Sequence, residues 1–442
     1  MTDGLDLRDN FLYHVHHRPA APALVWPGHE ISYGELFALA KESDLPSDEP
    51  LRIVARKSLE TIAQILACVL SGRRFLLSTP ALEHDPVKVP PGQAFGRDAD
   101  VSFMFTTSGS TGQPKIVPLA RGAVNRFIAW AGTAFGIGPG QSVLSFAPLN
   151  FDLSLLDVWT TLAHGGRVVL VDTEHVVNGH HLLDLLDRYQ VDLVQAVPTF
   201  FALLLDAASP TTGLDAVKHV ITTGDVLPQR TLSALPQLFP KARVHNLYGC
   251  TETNDSFIHE VGVTDTAPLP LGTPLPGVRS LIVDDELYVS TPFQASGYLD
   301  EARTAERFVD LPQPDGGSVR YFRTGDLVRR DADGRTFLVG RNDFQVKVRG
   351  VAVNTATVEQ ALLGHAEVRE AAVVALPDEL AGHRLVAMVR RDAGSTLNSL
   401  RLREVCARLL PTAAIPAVLG VTDDPLPRTS TGKIDRNAIT GR

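Results

Sequence analysis

A run of small hydroxylated residues and glycines is the segment whose residue types point most directly to chemistry. It is FTTSGSTGQPKIV, residues 105–117, and it follows an apolar, strand-like stretch and contains a single lysine, Lys115. Backbone amides freed by glycine, several hydroxyls and one cation are the groups that wrap a polyphosphate. The spacing differs from that of a Walker loop, because Gln113 and Pro114 separate Gly112 from the lysine. We predict a phosphate-binding loop in another fold, with a flexible Ser/Thr/Gly linker as the alternative.

Two further clusters follow strand-like runs and add groups that suit a nucleotide. NLYGCTETNDS, residues 246–256, places Tyr248, Thr251 and Glu252 within a tight turn. An aromatic ring can stack on a base, a hydroxyl can contact phosphate, and a carboxylate can hold Mg²⁺ between phosphate oxygens. YFRTGDLVRR, residues 321–330, offers Asp326 as an acceptor for ribose hydroxyls. Either cluster alone could be an ordinary turn. A nucleotide site is indicated only because the two clusters occur together in one sequence.

The elements that must position these residues have the pattern of alternating strands and helices. Short β-branched runs alternate with stretches of helical period, as in parallel strands joined by crossover helices. The predicted strands are 142–148, 166–172, 191–197, 219–225 and 243–249, with helices at 180–190 and 199–209. We predict an α/β fold in which residues 1–341 form a large N-terminal domain of layered α/β subdomains, with a β-rich subdomain at about 262–341. Residues 342–442 are predicted to form a small α+β C-terminal domain.

Composition narrows the class of protein. The 442 residues carry 41 Lys and Arg against 50 Asp and Glu, a formal net charge of −9, which argues against a basic surface for nucleic acid. The three cysteines lie far apart, and an uninterrupted apolar run of the roughly 20 residues that span a bilayer is absent from the sequence. We expect a cytoplasmic monomer that binds neither nucleic acid nor membrane. His14, His16 and His17 make a poor metal site, and we interpret them as part of a surface strand or a helix start.

Taken in order, the motifs resemble those of the adenylate-forming superfamily, which contains acyl-CoA synthetases, firefly luciferase and the adenylation domains of nonribosomal peptide synthetases. The resemblance runs from about Tyr33 to Lys433. Its motifs are TTSGSTGQPK (106–115), FDLSLLDVW (151–159), NLYGCTE (246–252), ELYVS…SGYLD (286–300), YFRTGDLV (321–328), GRNDFQVKVRG (340–350) and PRTSTGKIDR (427–436). We therefore expect an enzyme that uses ATP and Mg²⁺ to activate a carboxylic acid.

The resemblance assigns roles to individual positions. The positions that resemble the ATP site are Thr107, Ser108, Gly109, Ser110, Thr111, Gly112, Lys115, Tyr248, Gly249, Thr251, Asp326 and Arg341. Within that set it implies that the Ser/Thr/Gly loop faces the β- and γ-phosphates, that Tyr248 stacks on adenine, and that Asp326 binds ribose. Glu252 resembles the Mg²⁺ ligand, and Lys433 resembles the catalytic lysine that bridges carboxylate and phosphate.

For the C-terminal domain, the resemblance implies a mobile lid that rotates between the adenylation step and thioester formation. Asp343 matches the hinge position, and Gly350 lies in the loop that resembles the lining of the pantetheine tunnel. Asn354 stands where a glutamate is common, and the region before the phosphate loop is shorter than usual. The first difference could alter packing in the thioester-forming conformation, and the second could reduce the N-terminal subdomain.

The FDLSLLDVW motif bears on the acid that is activated. Asp152 resembles the aspartate that pairs with the α-ammonium group of an amino acid, and its alternative reading is a helix N-cap before an apolar run. The positions that resemble the rest of the specificity pocket are Leu153, Leu156, Gln195, Ile221, Thr223, Leu247, Asp255 and Ser256. They suggest a small or medium side chain bearing a hydroxyl, amide or amine.

The leading hypothesis is a free-standing enzyme that activates an amino acid as aminoacyl-AMP and loads it onto the phosphopantetheine thiol of a separate carrier protein. Its motivation is Asp152 together with a chain that ends nine residues after Lys433. The second hypothesis is an acyl- or aryl-CoA ligase that uses free coenzyme A, since such enzymes share every ATP motif. The third is a nucleotide-binding or scaffold protein descended from these enzymes, motivated by the short N-terminal region and Asn354.

Overall fold

A computed structural model of the chain describes residues 6–46, 50–79, 100–107, 115–314, 316–342, 345–348, 351–378, 382–429 and 434–439. It confirms the predicted mixed α/β fold, with several sheets and a large and a small part. Ser108 to Gly112, Asp343, Gly350 and Lys433, all predicted site positions, lie outside these described residues. Across the described ranges, every helix is too short or too polar to cross a bilayer.

The secondary-structure elements are numbered here in chain order. The helices are α1 (Leu7–His17), α2 (Tyr33–Glu42), α3 (Leu59–Ser71), α4 (Arg121–Ala134), α5 (Thr161–Ala163), α6 (Gly179–Arg188), α7 (Pro198–Ala207), α8 (Gln229–Leu238), α9 (Glu301–Arg307), α10 (Thr355–Leu363), α11 (Ser399–Leu409) and α12 (Arg436–Ile439). The strands up to the β-rich region are β1 (Pro22–Trp26), β2 (His29–Ser32), β3 (Leu51–Val54), β4 (Phe75–Ser78), β5 (Val101–Thr107), β6 (Lys115–Ala120), β7 (Ser142–Ser145), β8 (Arg167–Leu170), β9 (Leu193–Ala196), β10 (His219–Thr223), β11 (Arg243–Cys250), β12 (Asn254–Glu260) and β13 (Thr273–Pro274). The remaining strands are β14 (Arg279–Val283), β15 (Glu286–Ser290), β16 (Phe308–Pro312), β17 (Ser318–Arg330), β18 (Thr336–Arg341), β19 (Gln345–Val348), β20 (Val351–Asn354), β21 (Val368–Asp378), β22 (Gly382–Arg391) and β23 (Val418–Thr422).

A nine-stranded sheet forms the centre of the large part. Its order is β13-β12-β11-β10-β9-β7-β8-β1-β2, and the strands from β8 to β11 run parallel. The five strands predicted from β-branched runs are these parallel strands. Alternate residues face two different cores, with Val143 and Ile221 on one side and Leu144 and Val220 on the other. Burial on both faces explains why the strands appear in the sequence as nearly continuous apolar runs.

The phosphate-loop segment is placed by a smaller sheet of order β3-β4-β5-β6. Strands β5 and β6 are antiparallel, and Thr107 pairs with Lys115 at the end of this ladder. Phe103 and Phe105 on β5 are buried in the main core, which anchors the strand. The sheet therefore brings the two ends of the segment side by side.

The β-rich region folds as a sheet of order β14-β15-β17-β16, with β18 paired to β17. Residues from Gln345 onward form a separate sheet of order β20-β19-β22-β21, with β23 parallel to β22. This second sheet and helices α10 and α11 enclose a core of their own, which includes Val358, Leu385 and Cys406. The two parts of the chain thus have independent apolar cores.

Polar contacts join the small C-terminal part to the large one. Arg369 donates to Asp206 of α7 at 2.8 Å and to Asp392 at 2.7 Å, and Arg230 of α8 also contacts Asp392. At the junction, Asn354 caps α10 by accepting from the Ala356 amide, and its Nδ2 donates to the Arg341 carbonyl at 3.0 Å. The small part therefore rests against α7 and α8 through ion pairs.

The N-terminal histidines occupy the last turn of α1, whereas the sequence suggested a strand or the start of a helix. His16 and His17 donate through Nδ1 to the carbonyls of Leu12 and Tyr13, each at 2.8 Å. His14 is buried beside Tyr33. Donor groups near a helix C-terminus are favourable because the carbonyl end of the helix carries partial negative charge, which accounts for this placement.

Candidate active site

Three residues predicted to contact adenosine come together from two sheets. Tyr248 lies near the end of β11, while Asp326 and Arg341 are paired across β17 and β18. The Tyr248 hydroxyl donates to Oδ2 of Asp326, and Arg341 Nη1 donates to Oδ1 at 2.7 Å. Burial, and then the charge of Asp326, raise the pKa of Tyr248, so its hydroxyl remains a donor. The carboxylate is thus fixed by a phenol on one side and a guanidinium on the other.

The backbone around Asp326 is also held in place. Its amide donates to Thr324 Oγ1 at 3.0 Å, and Arg341 Nη2 donates to the Thr324 carbonyl at 3.3 Å. Thr324 Oγ1 in turn donates to the Leu287 carbonyl on β15 at 2.7 Å. Such a preorganised acceptor pair suits the two hydroxyls of a ribose.

A second group lies around Glu252, the predicted magnesium ligand. Glu252 Oε1 accepts from the Tyr298 hydroxyl at 2.6 Å, and Lys115 Nζ lies 5.5 Å from the centre of the Tyr298 ring. Burial, followed by the charge of Glu252, raises the pKa of Tyr298 well above its usual range. The ring therefore separates the carboxylate predicted for Mg²⁺ from the lysine predicted for phosphate.

Tyr298 was not among the predicted site residues, although it belongs to the SGYLD motif. Its distance from Glu252 in the sequence, 46 positions, gives no sign of the contact. Its place in the SGYLD motif was the only sequence feature that pointed to a role for Tyr298. Carboxylate oxygens are the ligands that Mg²⁺ prefers, so Glu252 has suitable chemistry for that ion.

The predicted amino-acid pocket is built on a helical segment of unusual geometry. Residues Leu155–Thr160 form a π-helix, which leads into α5, so the apolar run after Asp152 differs from the regular α-helix that the sequence suggested. Thr160 Oγ1 donates to the Leu155 carbonyl, five residues earlier, at 2.8 Å. π-Helical turns occur frequently at functional sites because they displace side chains from the regular helical positions. Asp152, three residues before this segment, is 9% exposed.

Two carboxylates influence each other in this pocket. Asp255, at the start of β12, is as buried as Asp152. Burial, and then the negative charge of Asp152, raise the pKa of Asp255 to about 7. Thr223, at the end of β10, also retains a small exposed surface.

The remaining pocket positions are enclosed. Leu156, Ile221 and Leu247 are members of the main apolar core. Ser256 has no exposed surface and turns back to donate to Thr253 Oγ1 at 3.2 Å. Thr251 is also buried, and the strand register sets Gly249 opposite Asp255. Asp152 and Asp255 thus keep a small exposed surface and Leu153 is half-buried, whereas Gln195 is enclosed like Leu156 and Ser256.

Two ionisable groups lie behind Gln195, the buried Asp157 and the half-buried Lys57. Gln195 Nε2 donates to Asp157 Oδ1 at 3.0 Å and to the Leu153 carbonyl at 3.1 Å. Lys57, from the loop after β3, donates to the carbonyls of Ser145 and Phe146, both at 2.7 Å. Burial lowers the pKa of Lys57 to about 7 and raises that of Asp157, and the attraction between the two opposes both shifts.

Neither Lys57 nor Asp157 was predicted as a site residue. Asp157 belongs to the FDLSLLDVW motif, while the sequence around Lys57 carries no chemical signal. Lys57 joins the small four-stranded sheet to the end of β7.

Arg428 and Ile434 stand on either side of Lys433 in the sequence. They lie near the carboxyl ends of the parallel strands of the central sheet. Arg428 and Ile434 form an antiparallel bridge, and Arg428 Nη1 donates to Thr199 Oγ1 at 2.8 Å. Thr199 is in the first turn of α7, directly after β9, the strand that carries Gln195. The carboxyl ends of parallel strands are the usual location of ligand sites in open α/β sheets.

Comparisons with known proteins agree with this arrangement. Residues 54–299 match the family described as AMP-binding enzyme, and residues 357–433 match the AMP-binding enzyme C-terminal domain. Malpibaldin synthetase of Mortierella alpina is 34% identical over 78% of this chain, although the chain spans only 6% of that synthetase. An L-proline–[L-prolyl-carrier protein] ligase of Pseudomonas fluorescens is 31% identical, and the match covers 77% of this chain and 68% of the ligase.

A solved structure shows the same fold over the whole chain. Klebsiella oxytoca NpsA, in complex with 3-hydroxyanthranilyl-AMSN, superimposes with a TM-score of 0.79 at 25% identity and covers 99% of both chains. The family matches span both the large part and the small C-terminal part of the molecule. The chain belongs to the AMP-binding enzyme family, and the resemblance to the adenylate-forming superfamily is confirmed.

Proposed function

We propose that this enzyme activates an amino acid as aminoacyl-AMP, releases pyrophosphate, and transfers the aminoacyl group to the phosphopantetheine thiol of a separate carrier protein. The observation that carries the amino-acid assignment is Asp152, a carboxylate buried at the edge of the central sheet. A buried carboxylate attracts a cationic group more strongly than an exposed one does, and the α-ammonium group of an amino acid is such a cation. Fatty and aryl acids carry no cation that could pair with Asp152.

In the adenylation step, the adenosine is held by Tyr248, Asp326 and Arg341. The ammonium group of Lys115 attracts the phosphates. The substrate carboxylate attacks the α-phosphorus, the bond to the bridging oxygen breaks, and pyrophosphate leaves. Both reactants are anions, so charge stabilisation dominates the catalysis. Glu252 would hold Mg²⁺, which supplies positive charge at the phosphates when bound. We assign Lys433 to the bridging position between carboxylate and phosphate.

The carrier-protein step is supported by the relatives. The Pseudomonas fluorescens ligase is named for transfer of proline to a carrier protein. We assign Asp343 to the hinge of the small C-terminal part and Gly350 to the loop that meets the pantetheine arm. The thiol attacks the mixed anhydride, a thioester forms, and AMP leaves.

The direct test is ATP–pyrophosphate exchange with a panel of amino acids, fatty acids and aryl acids. We expect exchange with at least one amino acid, strongly reduced by Lys433→Ala. Lys41→Ala is the matched control, because Lys41 is an exposed lysine of α2, in contact with Phe37. Exchange restricted to fatty or aryl acids would refute the amino-acid assignment.

A second measurement addresses the acceptor. Incubation with a phosphopantetheinylated carrier protein should give an aminoacyl thioester, detected by intact-protein mass spectrometry. Free coenzyme A in place of the carrier should give little product. Efficient formation of an acyl-CoA, with full activity retained by Asp152→Ala, would identify a CoA ligase instead.

A further inference from the structure

Three potential metal ligands lie together in the segment that leads from β8 into α6. They are Asp172, His175 and His181, and one ligand atom from each lies within 4.8 Å of the other two. Within the described ranges, this is the single group of three histidine, cysteine, aspartate or glutamate side chains arranged in this way. The group contains none of the residues assigned to ATP, magnesium or the substrate acid. The adenylation reaction therefore gives no reason for these three side chains to meet.

Hydrogen bonds at three-residue intervals hold the backbone of this segment. The His175 amide donates to the Asp172 carbonyl at 3.1 Å, in a short 3₁₀ turn over Thr173–His175. The Asn178 amide donates to the His175 carbonyl at 2.9 Å. Asn178 is also the N-cap of α6, and its Oδ1 accepts from the His181 amide at 3.1 Å. Because residues three apart in a 3₁₀ turn lie on the same side, the local fold places the three candidate ligands next to one another.

The three side chains meet without satisfying one another. His175 Nδ1 lies 4.0 Å from Asp172 Oδ2, which is beyond hydrogen-bond distance. The rings of His175 and His181 are 4.6 Å apart between centroids. His181 Nε2 is buried and, in the part of the chain that the structure describes, has no hydrogen-bond partner. A buried polar nitrogen without a partner is unfavourable, and coordination to a metal ion removes that cost.

The donor set selects the class of ion. Two imidazoles and one carboxylate are typical ligands of Zn²⁺, whereas Mg²⁺ and Ca²⁺ prefer sets of oxygen atoms. Zinc lies about 2.0–2.2 Å from nitrogen and oxygen ligands, so two ligand atoms of a tetrahedral site are separated by roughly 3.3 Å. The side chains of Asp172 and His175 are 45% and 47% exposed, which leaves them free to rotate into that spacing.

We propose that Asp172, His175 and His181 form a binding site for one Zn²⁺ ion, which fastens the β8–α6 connection to the first turn of α6. One nitrogen from each imidazole and one carboxylate oxygen bind the ion. Three protein ligands leave the fourth tetrahedral position to water. Since the ligands span residues 172–181, the bound ion restrains the backbone of the whole connection. Zinc binding here does not depend on which acid the enzyme activates.

The test is isothermal titration calorimetry of ZnCl₂ into the full chain, without a histidine tag and after removal of metal with a chelator. We expect one Zn²⁺ per chain at this site, with a Kd of about 10 µM or lower. An excess of MgCl₂ should not displace the ion, because two of the three ligands are nitrogen atoms. Hydrogen exchange of the amides of residues 172–181 should slow when Zn²⁺ is added.

His175→Ala removes a ligand from an exposed position, so the fold should remain intact. We expect the Kd for Zn²⁺ to rise by at least about tenfold, because even loss of a group that only orients a ligand typically lowers metal affinity 10–100-fold. Asp172→Asn and His181→Ala should change the Kd in the same direction. His180→Ala is the matched control, because His180 is an exposed histidine beside His181 and lies outside the group. It should leave the Kd unaltered.

Circular dichroism of each variant establishes that a change in affinity is not a loss of folding. Absence of zinc binding by the wild-type chain would overturn the site. Binding that His175→Ala, Asp172→Asn and His181→Ala retain with an unchanged Kd would also overturn it, because the ion would then lie elsewhere. A Kd raised as much by His180→Ala as by His175→Ala would refute the assignment of the ligands.

Discussion

The hydrogen bonds of Lys57 allow a quantitative prediction. Lys57→Met removes the ammonium group while keeping most of the apolar side chain. The change eliminates two hydrogen bonds of 2.7 Å to the carbonyls of Ser145 and Phe146. It also removes the cation whose attraction opposes the raised pKa of Asp157.

The expected cost follows from the two lost hydrogen bonds. Hydrogen bonds from a charged donor contribute about 1.5–3 kcal/mol each, so removing the ammonium group should lower the free energy of unfolding by roughly 3 kcal/mol or more. The free energy of unfolding of a domain is on the order of 5–15 kcal/mol, so the loss should be readily measurable. Lys57→Met together with Asp157→Asn should be less destabilising than the sum of the two single changes, since no isolated charge is left.

Urea denaturation monitored by circular dichroism provides the measurement for the N-terminal part. The control is Lys218→Met, which removes an exposed lysine paired with Asp192 at 2.7 Å. Exposed pairs contribute about 0–1 kcal/mol, so this variant should unfold close to wild type. Equal unfolding midpoints for Lys57→Met and Lys218→Met, or strict additivity in the double variant, would refute the reasoning.

The same change has a functional consequence. Asp157 holds Gln195 at 3.0 Å, so loss of Lys57 should disturb the pocket and leave the adenosine contacts in place. KM for the amino acid should therefore rise while KM for ATP stays constant. Lys57→Arg, which retains the charge, should restore part of the affinity.

Three further predictions address other parts of the molecule. Asp326→Asn should raise KM for ATP by about tenfold, with little effect on KM for the amino acid, because it weakens the acceptor held by Tyr248 and Arg341; steady-state exchange kinetics would show it. Burial lowers the pKa of His245 to about 4, and His219, Arg243 and Glu260 adjoin it. Below about pH 6.5 the unfolded chain therefore binds a proton at this histidine while the folded chain does not. The free energy of unfolding should fall by on the order of 1–2 kcal/mol between pH 7 and pH 5. Urea titrations of His245→Phe should show a weaker dependence on pH. Asn354→Ala should destabilise the small C-terminal part by about 1 kcal/mol, since it removes the cap of α10 and the contact with the Arg341 carbonyl. Hydrogen exchange of the α10 amides would detect the change, and unaltered protection would contradict it.

The sequence by itself determined the fold class and the nucleotide-site candidates. The parallel strands of the central sheet are buried on both faces, so their apolar runs are continuous and visible without a structure. Thr107, Tyr248, Glu252 and Asp326 lie in contiguous motifs, because a turn that must present its groups to phosphate or ribose needs particular neighbours on either side. Their roles remain predictions.

Tertiary packing alone decided which side chains meet. Tyr298 reaches Glu252, and Asp157 supports Gln195, across separations that local sequence patterns do not record. Ser256 was predicted to line the specificity pocket, yet its hydroxyl turns toward Thr253. Asp255 and Asp152 come together only because β12 folds back beside β11 at the edge of the sheet that carries β7. Side-chain directions of this kind depend on how separate sheets pack, and that information is distributed over the whole chain rather than held in any one motif.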